Sequence, residues 1–184
     1  MEKDLKYIVL NEITVQNMYK ELLEEIVNNP KVIDVTIQLE SASDKLLAAM
    51  NRGHNLEKYD YIVRRLQEKE KIINTVLMSG FPEETEKDIE KTINYINDRN
   101  IYVEGISSYE DCYAIPSHEF EQLSVNEKRR HLKIYEDAIK KSNYKVLESV
   151  IDYPAINAPV VIGRKDKKVY LGNSFINYSI KKDL

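Results

Sequence analysis

The stretch Ile72-Ile73-Asn74-Thr75-Val76-Leu77-Met78-Ser79-Gly80-Phe81-Pro82-Glu83-Glu84-Thr85-Glu86-Lys87-Asp88 decides the fold. Its first half is a short apolar run rich in β-branched residues, the composition of a buried strand. Gly80 then lets the backbone turn sharply and approach another group, and Pro82 stiffens that turn. Thr85 and Asp88 form a capping pair, each side chain satisfying a free amide at a helix start. Behind them Ile89, Ile93 and Ile96 recur at helical spacing. The unit therefore reads strand, tight turn, amphipathic helix.

The same grammar extends in both directions. Residues 7–10 are a short apolar strand, and residues 32–39 are a second, β-branched one. Between them a helical pattern opens at Thr14, with Val15, Tyr19, Leu22, Leu23 and Ile26 on one face. Asn28-Asn29-Pro30 stops it. Ser43-Asp44 offers oxygens to the first turn of a short helix running through Met50, and Gly53 stands where a helix C-terminal glycine belongs. Asn55 caps a further helix with the stripe Tyr59, Ile62, Val63 and Leu66. Residues 102–107 supply a fourth strand. Ser124-Val125-Asn126-Glu127 then matches a capping box that starts a helix to about Lys141.

Strands alternating with helices of this length predict an α/β fold with parallel strands. A common closed barrel needs eight strands, so residues 1–142 are expected to form a partial parallel β/α barrel of about four βα units. The remaining residues, 143–184, differ in character. Short β-prone runs at 146–151, 160–162, 169–171 and 175–180 are separated by Pro154, Pro159, Gly163 and Gly172, without helical period. They predict a small, antiparallel, β-rich appendage.

Bulk properties narrow the class. The chain has 184 residues, of which 42% are hydrophobic and 32% charged, a balance that fits a folded soluble domain rather than disorder. One cysteine excludes an internal disulfide framework and fits a reducing compartment. No apolar run approaches the ~18 residues of a membrane span, and the N-terminus lacks a signal-peptide core. The expected location is cytoplasmic. The net charge of −4 argues against nucleic-acid binding by the whole surface. Local basic runs stand at Lys128-Arg129-Arg130, Lys140-Lys141 and residues 164–168.

Ligands of parallel α/β sheets bind at the carboxyl ends of the strands, which directs attention to three loops. Glu40-Ser41-Ala42-Ser43-Asp44 offers acceptors for hydroxyl or ammonium groups. Ser79-Gly80-Phe81-Pro82-Glu83-Glu84 offers an approachable backbone and an aromatic ring. Tyr109-Glu110-Asp111-Cys112-Tyr113 is polar and aromatic. Each also has an architectural reading as a helix cap, a tight turn or a surface loop. His54, His118 and His131 are scattered and, with Cys112, lack zinc-ligand spacing, so no metal ligands are expected. The five glycines never fall in a phosphate-binding order.

Taken in order, these segments resemble the later barrel strands of radical S-adenosylmethionine (SAM) enzymes, the methylthiotransferase branch in particular. Glu40-Ser41-Ala42-Ser43-Asp44-Lys45-Leu46-Leu47-Ala48-Ala49-Met50-Asn51-Arg52-Gly53-His54 is similar to that branch's "QSGSD" strand end and "vLkxMxRgy" helix. Gly80-Phe81-Pro82-Glu83-Glu84-Thr85-Glu86-Lys87-Asp88 is similar to "GFPGETeeD". The resemblance spans about residues 7–142. It implies that Glu40 and Ser41 lie near the ribose or methionyl part of SAM, that Arg52 approaches the methionine carboxylate, and that the backbone of Gly80 and Phe81 lies near the adenine. It implies a tRNA or protein substrate, and a TRAM-like position for the tail.

The departures from the pattern matter as much. Glu40 stands where the branch prefers Gln, Glu83 replaces a Gly, and Glu110-Asp111-Cys112-Tyr113 replaces a Ser-Pro-Arg-Pro run. The family's 4Fe–4S cluster needs three thiolates, and the chain has Cys112 alone. No catalytic residue is therefore expected here, and a partner chain supplying the N-terminal barrel strands is implied. Two other readings stay open: a non-catalytic module binding SAM, a nucleoside or a partner chain, and a fragment of a cobalamin-type radical SAM enzyme, which also carries Glu at the position of Glu40.

Overall fold

Four β-branched runs pair side by side in chain order. In the computed structural model, which describes residues 8–141, 161–163, 169–173 and 177–181, β1 (Ile8–Ile13), β2 (Val32–Ile37), β3 (Ile72–Ser79) and β4 (Tyr102–Ser108) form one parallel sheet of order β1-β2-β3-β4. Unbroken sequential order is that of a barrel segment; a doubly wound sheet reverses direction at a switch point. The connections carry α1 (Lys20–Asn28), α2 (Asp44–Ala49), α3 (Leu56–Gln67) and α4 (Glu86–Asp98), and α5 (Val125–Lys141) follows β4. The expected partial α/β barrel of about four units is the observed architecture.

The core lies between sheet and helices. Val35, Ile37, Ile73 and Leu77 pack against Leu23 and Ile26 of α1, Tyr59, Ile62, Val63 and Leu66 of α3, Ile89 and Ile96 of α4, and Tyr135 of α5. Alternation puts Asp34, Thr36 and Asn74 on the other face. There Asn74 Nδ2 donates to Asp34 Oδ1 at 2.6 Å and Thr36 Oγ1 to Glu104 Oε1 at 3.1 Å. Lys71, just before β3, clips the turn between α1 and β2. Its Nζ donates to the carbonyls of Asn29 and Val32, each at 2.6 Å.

Capping decides three helix starts as expected. Asn55 accepts from the Lys58 amide, Thr85 and Asp88 form a complete capping box, and Ser124 and Glu127 exchange hydrogen bonds. Three local expectations change. The first helix does not open at Thr14: a 3-10 turn (Val15–Asn17) intervenes, α1 begins at Lys20, and Tyr19 is 61% exposed. Ser43 sits at the N-cap of α2 without donating or accepting a capping bond; Asp44 Oδ1 instead accepts the Leu56 amide at 2.7 Å and ties α2 to α3. The left-handed residue after α2 is Asn51, with φ 54°, not Gly53. Gly53 serves close approach, since a Cβ there would overlap the Gln16 side chain.

The tail forms a separate three-stranded antiparallel sheet of β5 (Val161–Gly163), β6 (Val169–Asn173) and β7 (Asn177–Lys181). The strand expected at 146–151 lies outside the described residues.

Candidate functional site

The carboxyl ends of β2 and β3 bring the five expected residues to one rim. After β2 the chain bends back over the sheet: Glu40 donates its amide to Val76 and its carbonyl accepts from Met78, a parallel bridge to β3. This bridge holds Glu40 in the left-handed region, with φ 63°, a conformation that disfavours a side chain and persists only where neighbours enforce it. Its carboxylate accepts from Arg52, with Nη2 to Oε1 at 2.5 Å. Burial pushes the Glu40 carboxyl above its usual range, and Arg52 only partly pulls it back. The pair fixes the guanidinium at the rim with other N–H groups left to donate.

Beside this pair is a cavity of about 140 Å³, lined by Thr14, Val15, Gln16, Gln38, Met50, Asn51, Arg52 and His54. The lining is mostly hydrogen-bonding. His54 Nε2 is buried there without a partner, and burial followed by the charge of Arg52 lowers its pKa. Gln16, Gln38 and His54 are not legible as a group in the sequence, because the loops after β1, β2 and α2 must first converge.

The remaining three residues turn inward. Ser41 is fully buried; its hydroxyl lies 3.4 Å from that of Thr92 on α4 and accepts the Ser43 amide. Phe81 is also buried. Its ring meets Tyr109 edge-on at 5.0 Å and Phe120 at 6.3 Å, in a small cluster with Leu46. Gly80 takes φ 79°, and a Cβ there would stand 3.0 Å from Lys128 Cγ on α5. Its amide donates to Glu84 Oε2 at 2.7 Å. The same oxygen lies 2.9 Å from Nδ1 of the buried His131. Neither Glu84 nor His131 stands out in the sequence, since Glu84 reads as turn residue and His131 as a lone histidine on a charged helix.

A four-iron cluster does not fit the residues present. Cys112 is exposed in the loop after β4, and among the described residues no three His, Cys, Asp or Glu side chains are grouped to hold a metal. His118 Nδ1 pairs with Asp111 at 2.9 Å instead. No helix among the described residues is long and apolar enough to cross a membrane.

The geometry agrees with what comparison with known proteins shows. Residues 5–96 match the sequence profile of the radical SAM superfamily. The chain is 32% identical over 109 residues to the ribosomal protein uS12 methylthiotransferase RimO of Caldanaerobacter subterraneus subsp. tengcongensis, covering 58% of this chain and 25% of that protein. It is 30% identical over 189 residues to the tRNA-2-methylthio-N(6)-dimethylallyladenosine synthase of Endomicrobium trichonymphae, covering 90% of this chain and 44% of that one. The chain thus spans a quarter to under half the length of these relatives. In fold it is similar to the coproporphyrinogen III oxidase HemN of Escherichia coli, a radical SAM enzyme, with TM-score 0.59 and 13% identity, covering 70% of this chain and 31% of that structure. Strand order and sequence match converge: the chain belongs to the radical SAM superfamily, and methylthiotransferases are among its relatives.

Proposed function

We propose that this chain is the SAM-cradling part of a cytoplasmic radical SAM enzyme of the methylthiotransferase kind, acting on tRNA or on a protein. The observation that carries this reading is the Glu40–Arg52 pair beside the polar cavity at the strand carboxyl ends. A guanidinium anchored on one side suits a carboxylate on the other, because bidentate charge-assisted hydrogen bonds gain from fixed geometry. Arg52 takes the methionine carboxylate. Gln16, Gln38 and His54 supply polar partners for the rest of that end. Glu40 faces the methionyl and ribose part. Ser41 contributes through backbone groups, since its hydroxyl is engaged with Thr92 and Ser43. Gly80 and Phe81 support the adenine through their backbone, with the Phe81 ring as packing beneath.

Bound SAM supplies a carbon–sulfur bond that one electron can cleave reductively. The residues of this chain bind and orient; none of them ligates the cluster that would deliver the electron. Residues 1–184 by themselves are therefore inactive in SAM cleavage, and the cluster thiolates come with the preceding barrel strands, which add along the β1 edge whether on the same polypeptide or another. Calorimetry tests the binding claim. SAM is expected to bind the chain, and Arg52→Ala to weaken binding by about tenfold or more, the cost of one charge-assisted contact. No heat at millimolar SAM would overturn it. Anaerobic incubation with iron and sulfide tests the division of labour: no four-iron absorbance is expected, and a stoichiometric cluster on this chain would refute it.

A further inference from the structure

The Gly80 turn is not held by its own loop. Its amide donates to Glu84 Oε2 at 2.7 Å, and that oxygen also takes Nδ1 of His131 at 2.9 Å. Glu84 and His131 are each only 3% exposed. A buried carboxyl is costly unless donors surround it. Here one oxygen receives both donors, while Glu84 Oε1 finds none. One helical turn beyond His131 on the same face, the buried Tyr135 hydroxyl lies beside Glu84 and Thr92, outside tight hydrogen-bond geometry. The Gly80 turn and His131 are therefore joined through a single shared oxygen.

The groups facing it come from three elements. Asp88 on α4 and Tyr135 on α5 lie close to Glu84, the Gly80 amide faces it from the turn, and Glu127 approaches His131 from within α5. Burial, opposed by the Gly80 amide and then by His131, raises the Glu84 pKa. Contact between turn and helix is also direct, through Gly80 and Lys128.

We propose that His131 is a positioning residue for the SAM site: from α5 it aims the Glu84 carboxyl at the Gly80 amide and so sets the turn that supports the adenine. The SAM half of this claim rests on the function proposed above; the geometric half does not.

The test measures Gly80 amide hydrogen exchange and SAM affinity on the full chain, for wild type, His131→Ala and His131→Asn. An Asn amide nitrogen stands near the place of a histidine Nδ1, so His131→Asn keeps the donor. In His131→Ala, Gly80 exchange is expected to accelerate by about tenfold or more while Gly53 and Gly105 stay unchanged, with SAM affinity falling by about the same factor. His131→Asn is expected to restore most of both. A merely structural role would move all three glycines together and give no rescue. Should His131→Ala fail to fold, His131→Gln, whose amide reaches the place of Nε2 rather than Nδ1, is measured in its place and is expected to weaken Gly80 protection alone. Unchanged Gly80 exchange in a folded variant overturns the proposal. Accelerated Gly80 exchange in His131→Ala, together with a wild-type chain that binds no SAM, leaves the turn-setting role standing and removes the SAM role.

Discussion

Asp34 shows how one buried group makes stability depend on pH. It is fully buried on the sheet face away from the helices, with Oδ1 bonded to Asn74 and Oδ2 without a partner. Burial pushes its pKa up to about 8, against the opposing Asn74 bond and with the Glu104 charge adding to the rise. The folded chain thus holds a proton that the unfolded chain releases near its ordinary value. Its contribution is fully present below about pH 4 and is lost as pH rises through about 8. Asp34→Asn is expected to abolish that loss, raising the melting temperature by about 3 °C or more at pH 9 and little at pH 3.5. Equal shifts at both values would contradict it. Asp34 also marks a limit of reading sequence, because strand alternation identifies its face but not its depth.

Among the elements, helix starts were the most legible. Asn55, Thr85 and Ser124 each precede the acceptor or donor their cap requires, and local spacing suffices to find them. Thr85→Ala removes the side-chain half of the α4 box, leaving Asp88 to accept the backbone amide of residue 85, and is expected to cost about 1 kcal/mol, read as a melting shift of about 2–4 °C. A shift within error would mean that α5 packing alone holds the start of α4. Elements set by tertiary contact were not legible. Tyr19 falls on the apolar stripe of a helix begun at Thr14, but the 3-10 turn rotates it outward. Gly53 suits a left-handed cap, yet Asn51 takes that conformation, and the glycine answers to Gln16 from a distant loop. The same reason hid the cavity beside Arg52. The Glu40–Arg52 pair lies within one motif and could be anticipated, whereas Thr14, Gln16 and His54 meet only once three loops close on each other.

At the scale of the molecule, the sheet has two edges, and α5 packs against the β4 edge. β1 ends the sheet with pairing groups free on its outer side among the described strands. A chain of this kind is expected to self-associate or to pair with added barrel strands, and size exclusion with light scattering checks it. A monomer at all concentrations, unaffected by a polypeptide carrying those strands, would count against edge pairing. At the opposite end of the sheet from the strand carboxyl ends, Lys71 holds two carbonyls of the α1–β2 turn with its ammonium group. That clip gives the chain a built-in chemical tag of assembly. Acylating reagents find the amine occupied while β2 and β3 are joined, and find it available once they part, so integrity of the sheet is readable without any ligand, partner or turnover.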